Sequence, residues 1–151
     1  LKQDKISTLG NSDKLDLSLA TKTISIAENT INITITHINQ TNNKAEKKSS
    51  SQVIRHQIAQ LASEIECCKQ FVYSIHSSFK TSENLEKEFL MAKLTSIQLM
   101  DKVVSECFEI FGTYDSLEDH PLEIIFQQSK MLQISNSKRD LRANISRLLI
   151  S

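Results

Sequence analysis

Residues 52–79 have the sequence QVIRHQIAQLASEIECCKQFVYSIHSSF, in which apolar side chains recur every three or four positions. The members of this stripe are Ile54, Ile58, Leu61, Ile65, Cys68, Val72, Ile75 and Phe79. Because an α-helix has about 3.6 residues per turn, the pattern predicts a long amphipathic helix that buries one face. Small polar residues between Ser77 and Ser82 predict its end, and a new helix is expected to begin near Glu83.

The segment that follows, up to Gly112, is apolar on two faces instead of one. One face contains Leu85, Phe89, Ala92, Leu99, Val103, Cys107 and Ile110, and the other contains Leu90, Leu94, Ile97, Val104, Phe108 and Phe111. A helix with two apolar faces packs against several neighbours, so we expect this helix to be central. Gly112 is well placed to end it in the left-handed conformation that glycine adopts without steric cost.

The C-terminal part of the chain contains signals for two shorter helices. An acidic loop is expected over 113–120, and Pro121 is typical of the first turn of a helix. Residues 135–137 interrupt that helix, and Ser137 with Asp140 resembles a capping pair that starts a last helix. We expect the last helix to bury Leu141, Ile145, Leu148 and Leu149.

The N-terminal part, residues 15–38, gives conflicting signals. One set of isoleucines alternates as in a strand, whereas another apolar set has helical spacing. The alternating set is Ile24, Ile26, Ile31, Ile33 and Ile35, and the helical set is Leu17, Ile24, Ala27, Ile31, Ile35 and Ile38. The β-branched run at 30–36 favours a strand on local grounds, and the choice stays open at this point. Residues 41–51 are almost entirely polar and are predicted to form a loop.

The composition favours one helical domain. The 151 residues include 18 basic and 18 acidic side chains, a formal net charge of zero, and 39% are hydrophobic. Two glycines and one proline are few for a β-barrel or a β-sandwich. The sequence therefore predicts an all-α fold, an antiparallel four-helix up-and-down bundle with a short extra C-terminal helix. The neutral charge gives no reason to expect nucleic acid as a partner.

The residue types that most often bind metals form no recognisable site. Cys67, Cys68 and Cys107 lack the pairing of a disulfide framework and the spacing of a zinc site. None of the four histidines has another histidine three or four positions away. We therefore expect no metal, and we expect an intracellular reducing compartment, either the cytoplasm or the mitochondrial matrix.

Five short motifs, taken in order, resemble those of a known family. They are QVIRHQIAQLA at 52–62, Ala92-Lys93, EIFGTY at 109–114, DHPLEIIFQQ at 119–128 and RANISRLL at 142–149. Their order and spacing resemble the C-terminal helical domain of the acyl-CoA dehydrogenase family of flavoproteins, over roughly residues 15–150. Leu15-Asp16-Leu17 resembles the start of the first helix of that domain, so the resemblance implies that residues 24–38 are helical.

The resemblance implies where catalysis would be expected. In this family a flavin removes a hydride from Cβ of an acyl-CoA thioester while a glutamate takes the proton from Cα. The glutamate usually lies in a break between the last two helices, where this chain has Ser135 or Asn136. A minority of members carry it on the first helix, at the position of Ser18 here. Because a hydroxyl or an amide is not a general base at neutral pH, the resemblance implies that this chain supplies no catalytic base.

The resemblance also indicates how the family holds FAD. The segment that carries the family's FAD-binding arginine corresponds to residues 42–51, which contain no Phe-Gly pair. A second turn keeps Gly112 but has Glu109 in place of a glutamine, so these two are the remaining candidate cofactor-binding residues. We expect no cofactor for this chain alone, although the resemblance implies FAD for the family.

These departures favour a degenerate domain with a structural, oligomerisation or assembly role. Residues 1–14 are expected to be a leader or linker, and residues 15–151 the bundle, as a segment of a longer protein. The expected partners are other copies of the chain or different subunits, including a catalytically intact acyl-CoA dehydrogenase. Two alternatives stay open. In one, the chain is part of an active FAD-dependent dehydrogenase whose partner supplies the base and the flavin site; in the other, it is a vestigial duplicate of the bundle that aids membrane attachment.

Overall fold

The computed structural model describes residues 3–42, 48–78, 85–112 and 120–150, which form five helices and no strand. The helices are α1 (Gln3–Asn42), α2 (Lys48–Ser78), α3 (Glu86–Gly112), α4 (Pro121–Ser135) and α5 (Lys138–Leu149). The predicted all-α fold is confirmed. Residues 15–38 are helical, as the family resemblance implied and the local strand signal did not.

Contacts between side chains give the direction of each helix relative to α3. Asp16 of α1 binds Lys93, and farther along the same two helices His37 packs on Phe111, so α1 and α3 run parallel. For α2 and α4 the order of the contacts is reversed, so both run antiparallel to α3. The pairs that show this are Glu64–Lys102 and Ile54–Ile110 for α2, and Lys130–Asp101 and Phe126–Phe108 for α4.

Helix α3 is the centre of the bundle, as its two apolar faces predicted. It contacts each of the other four helices. The main core cluster lies between α1, α2 and α3, and it contains the predicted α2 stripe from Leu61 to Ile75. Burial of this apolar surface is the main stabilising contribution, on the order of 25 cal/mol for each Å² removed from water.

Helix α1 buries three threonines completely. The hydroxyl of Thr23 donates to the carbonyl of Ala20 at 2.9 Å, that of Thr30 to Ile26 at 2.7 Å, and that of Thr34 to Thr30 at 2.9 Å. These bonds satisfy the hydroxyl groups within the helix, so the threonine methyl groups can pack in the core. Among the described residues, no buried side-chain nitrogen or oxygen lacks a hydrogen-bond partner. Tertiary packing therefore outweighs the strand preference of this β-branched run.

The loop predicted over 41–51 is wrong at both ends. Helix α1 includes residues 41–42, and α2 begins at Lys48. A terminal turn needs no buried face, and serine is well tolerated at the start of a helix, so a polar run does not by itself end one. The centre of the predicted loop (43–47), the predicted helix start near Glu83 and most of the acidic loop (113–119) lie outside the described residues. Residues 3–14, the predicted leader or linker, continue α1.

The two C-terminal helices begin as predicted. Pro121 occupies the first turn of α4, and the Ser137 hydroxyl caps α5. Helix α5 buries Leu141 and Ile145, but the prediction for its last turn is wrong, because Leu148 and Leu149 are 40% and 57% exposed. A short helix that packs mainly against α3 buries only a narrow stripe. Within the described part of the chain, no helix is both long enough and apolar enough to cross a bilayer.

Candidate functional site at the break between α4 and α5

The break between α4 and α5 uses its polar side chains to close one helix and open the next. The Ser135 hydroxyl donates to the carbonyl of Leu132 at 3.1 Å, and Nδ2 of Asn136 donates to the same carbonyl at 3.0 Å. The Ser137 hydroxyl accepts a hydrogen bond from the backbone N–H of Asp140 at 3.3 Å. Such bonds satisfy backbone groups that a helix end leaves without an intrahelical partner. Ser135 and Asn136, which occupy the position of the family's base, therefore help to end α4.

Asp101 of α3 is the carboxylate that holds this break to the bundle. Its Oδ1 accepts hydrogen bonds from Lys130 Nζ at 2.9 Å and Gln133 Nε2 at 2.6 Å, and its Oδ2 accepts one from Lys138 Nζ at 2.8 Å. Burial by itself raises the pKa of Asp101, but the hydrogen bonds from Lys138, Lys130 and Gln133 outweigh burial and lower the pKa from 3.8 to about 2. Asp101 is therefore ionised at neutral pH and is a poor proton acceptor there.

Ser18, the alternative base position, is exposed on α1. The carboxylate nearest to it in sequence, Asp16, accepts a hydrogen bond from Lys93 Nζ of α3 at 2.8 Å. The two side chains of this ion pair are only 15% and 18% exposed. The Ala-Lys motif of α3 and the Leu-Asp-Leu start of α1 therefore meet in a bond that joins the two helices.

The candidate cofactor residues lie farther along α3. Glu109 and Gly112 are both exposed in its last turn, and α3 ends at Gly112 as predicted. Glu109 follows Asp101 by two helical turns, about 12 Å along the axis. The structure therefore does not bring Glu109 and the α4–α5 break together. A carboxylate has no hydrogen-bond donor and repels a diphosphate, so Glu109 does not fit that part of FAD.

Two histidines that are distant in sequence meet at the Gly112 end of the bundle. His37 of α1 and His120, which precedes α4, both pack on Phe111, each with a ring-centroid distance of 4.0 Å. The two imidazole rings are 6.3 Å apart. Nδ1 of His120 accepts a hydrogen bond from the backbone N–H of Leu122 at 3.2 Å, so His120 also caps α4. Spacing in the sequence could not predict this cluster, because it depends on how three helices pack.

The cysteines show two different environments. Cys68 and Cys107 are buried, and burial raises the pKa of each thiol to about 11, which keeps both protonated at neutral pH. Cys67 is exposed on α2. In the part of the chain that the structure describes, no three His, Cys, Asp or Glu side chains are grouped so as to hold a metal ion.

Comparison with known sequences places these features in a family. The family model described as acyl-CoA dehydrogenase, C-terminal domain, matches residues 17–145. The mitochondrial short/branched chain specific acyl-CoA dehydrogenase of Bos taurus is 22% identical over 136 residues, which cover 90% of this chain and 32% of the relative. The caffeyl-CoA reductase-Etf complex subunit CarC of Acetobacterium woodii is 22% identical over 118 residues, or 78% of this chain and 31% of the relative. The chain thus spans about a third of the length of these relatives.

Solved structures share the same helical arrangement. A probable acyl CoA dehydrogenase from Mycobacterium abscessus matches with a TM-score of 0.79 and 18% identity, over 94% of this chain and 38% of that one. A chain from a structural study of the electron transferring flavoprotein of Acidaminococcus fermentans matches with a TM-score of 0.76 and 23% identity, over 91% and 37%. At these identities the likeness shows the fold alone.

Proposed function

The chain belongs to the acyl-CoA dehydrogenase C-terminal domain family, and from that premise we propose that it is a degenerate member that serves as a structural and assembly module of a larger protein. In this proposal the bundle supplies no catalytic base and few of the contacts that hold FAD. Its task is to present helix surfaces to other parts of the protein or to other subunits.

The use of polar groups at the α4–α5 break carries the proposal. A base must reach the substrate and must have a pKa near the working pH. Ser135 and Asn136 have no acidic group. Both side chains already donate a hydrogen bond to the carbonyl of Leu132, which ends α4. The nearby carboxylate of Asp101 accepts hydrogen bonds from three side chains and has a pKa of about 2. The polar groups at the break therefore connect α4 and α5 to each other and to α3, and they do not resemble a proton-transfer site.

The residues at the Gly112 end of α3 support the other part of the proposal, that this chain makes few contacts with FAD. Glu109 is an exposed carboxylate where the family resemblance implies a donor to the cofactor. The negative charge of Glu109 repels a diphosphate at close range. Glu109 therefore does not fit the diphosphate of FAD.

One relative favours a second candidate function. CarC is named as a subunit of a caffeyl-CoA reductase-Etf complex, so a protein that contains a region similar to this chain belongs to a multi-subunit complex. In this second candidate the chain is one part of an active FAD-dependent oxidoreductase, and a partner subunit supplies the base and the flavin site.

The experiment that separates the two candidates is a flavin measurement on the full-length native protein. The protein is purified without added cofactor, its flavin absorbance is recorded, and any FAD is released by denaturation and counted per chain. Because a ligand that binds the native state raises the melting temperature, added FAD should leave it unchanged if the protein does not bind FAD. We therefore expect a colourless, helical protein with the same melting temperature with and without FAD. Stoichiometric FAD that acyl-CoA bleaches would overturn the structural role, and FAD found only in a complex with another subunit would favour the second candidate.

A further inference from the structure

His120 connects the end of α3 to the start of α4. Its imidazole ring packs on Phe111, the last but one residue of α3, at a ring-centroid distance of 4.0 Å. Nδ1 of the same ring accepts a hydrogen bond from the backbone N–H of Leu122 at 3.2 Å. Phe111 and Leu122 are each 1% exposed, so His120 contacts a buried residue on both helices.

The hydrogen bond from Leu122 requires one protonation state of His120. A nitrogen that accepts a hydrogen bond carries no proton, so the ring is neutral and its proton is on Nε2. A protonated imidazole has two N–H donors and no acceptor, so neither orientation of that ring can cap α4. The N–H of Leu122 then loses this acceptor, and a buried backbone N–H without a partner is unfavourable.

Two electrostatic effects also oppose a proton on His120. The start of α4 carries the partial positive charge of the helix dipole, which destabilises a cation there. His37 of α1 lies 6.3 Å from His120 between ring centroids, and two protonated imidazoles repel each other. Phe111 acts in the opposite direction, because a cation is attracted to the face of an aromatic ring. That attraction does not need the cap, so a protonated His120 can stay on Phe111 while the first turn of α4 moves away.

Other charged groups surround this end of the bundle. Among the described residues, Glu109 of α3 and Glu123 of α4 are exposed, and so are Arg55 and His56 near the start of α2. The sequence just before His120 adds Asp115, Glu118 and Asp119. Aspartate and glutamate side chains in general take up a proton near pH 4, and histidine does so near about pH 6.5. A response between pH 7.5 and pH 5.5 therefore indicates a histidine.

We propose that His120 is a proton-sensitive cap, and that a proton on Nδ1 releases the first turn of α4 from the end of α3. His37 and His120 both line a surface cavity of about 310 Å³, so protons can reach the rings while the bundle stays folded. The capped state needs the neutral ring, whereas the released state accepts either form. The contribution of the cap is therefore complete above about pH 7.5 and is lost as the pH falls through the titration range of histidine. The proposal goes beyond the assembly role and does not rest on it.

Hydrogen exchange of the full-length protein, followed by mass spectrometry, tests the cap. Exchange of peptides that contain residues 121–126 is compared at pH 7.5 and pH 5.5, after correction for the intrinsic effect of pH on the exchange rate. We expect protection of this part of α4 to fall about fivefold at pH 5.5, the size that loss of a helix cap typically produces. Protection of the middle of α2 should stay constant.

Replacement of His120 separates the cap from other effects of pH. Asparagine is a good helix cap that does not titrate, so His120→Asn should keep the protection of α4 at both pH values. His120→Ala has no acceptor and should show low protection at both. His56→Asn is the matched control, because His56 is an exposed histidine of α2, and it should retain the fivefold fall of the natural protein.

Three results would overturn the proposal. The first is a natural protein in which α4 has the same protection at both pH values. The second is a fall that persists in His120→Asn, since the proton would then act at another group. The third comes from the natural protein itself, in a ¹⁵N spectrum with labelled histidine at pH 7.5, where the His120 signals are assigned by their loss in either variant. We expect the proton on Nε2, and a proton on Nδ1 would show that His120 does not accept the hydrogen bond.

Discussion

Replacement of Asp101 by asparagine tests the joint between α4 and α5 directly. Asp101→Asn keeps the shape of the side chain and one carbonyl oxygen, but it removes the negative charge that Lys130 and Lys138 share. The two ammonium groups then face each other across a neutral amide. We expect α5 to loosen first, because α5 packs mainly against α3 and Lys138 lies in its first turn.

The size of the effect follows from the pKa of Asp101. Its fall from 3.8 to about 2 means that the folded protein favours the ionised carboxylate. At about 1.4 kcal/mol for each pKa unit, the ionised form adds about 2.5 kcal/mol to the free energy of unfolding at neutral pH, before screening by water. Water screens part of this interaction, because Lys130 is 41% exposed. We therefore expect Asp101→Asn to cost between about 1 and 2 kcal/mol at pH 7.

The pH dependence has a definite sign. Because the pKa of Asp101 is lower in the folded state than in the unfolded state, its contribution is complete above about pH 4 and is lost as the pH falls towards 2. Urea unfolding followed by circular dichroism, at pH 7, pH 4 and pH 3, measures the difference between the natural protein and Asp101→Asn. The difference should stay constant between pH 7 and pH 4 and fall to roughly half by pH 3. Equal stability of the two proteins at pH 7 would refute the reasoning.

Glu64→Gln is the matched control for Asp101→Asn. Glu64 also joins two helices and is about as exposed as Asp101, but it binds one lysine, Lys102, where Asp101 binds two. A surface ion pair of this kind contributes between about 0 and 1 kcal/mol. Glu64→Gln should therefore lower the free energy of unfolding clearly less than Asp101→Asn does. An equal loss would show that the second lysine of the Asp101 network adds no stability.

Three further predictions concern the core and the thiols. Thr30→Val should change the free energy of unfolding by less than about 1 kcal/mol in urea titrations, because it removes a buried hydroxyl together with its own hydrogen bond. Lys93→Met should cost about 2 kcal/mol in the same assay, since it leaves the partly buried Asp16 without its cation, and addition of Asp16→Asn should recover part of the loss. A thiol reagent at neutral pH, followed by mass spectrometry, should modify Cys67 and leave Cys107 unmodified until the protein is unfolded. Modification of Cys107 in the folded protein would contradict its burial.

Periodicity predicted the helices that bury ordinary apolar side chains. The α2 stripe from Leu61 to Ile75 and most of the first face of α3 lie in the main core cluster. On the second face of α3, Ile97, Val104 and Phe111 are buried, and the other three residues are half-buried. Helix α1 was ambiguous because much of its buried face is polar, and Thr23, Thr30 and Thr34 carry no hydropathy signal for burial. Their suitability for the core depends on hydrogen bonds to the preceding turn, which exist only once the helix has formed. The family resemblance supplied the helix assignment that local propensity could not.

The contacts that define the candidate site lie beyond the reach of local sequence patterns. The break at 135–137 was predicted, because small polar residues and a capping pair mark it along the chain. Asp101 was not singled out, because its partners Lys130, Gln133 and Lys138 lie on two other helices, far from it in the sequence. Lysines 29 and 37 positions away from an acidic residue are common in any sequence rich in charged residues, so this spacing does not predict an ion pair. Only the antiparallel packing of α4 on α3 brings these groups to one point.

Asp101 connects the two helices on either side of the break to α3. Asp101 binds Lys130 on α4 and Lys138 on α5, so it fixes the direction in which α5 leaves the break. Loss of the Asp101 charge should therefore loosen α5 from the bundle as well as lower the free energy of unfolding. A carboxylate bound by two lysines is a poor base but connects helices firmly, and the proposed assembly role requires the second property and not the first.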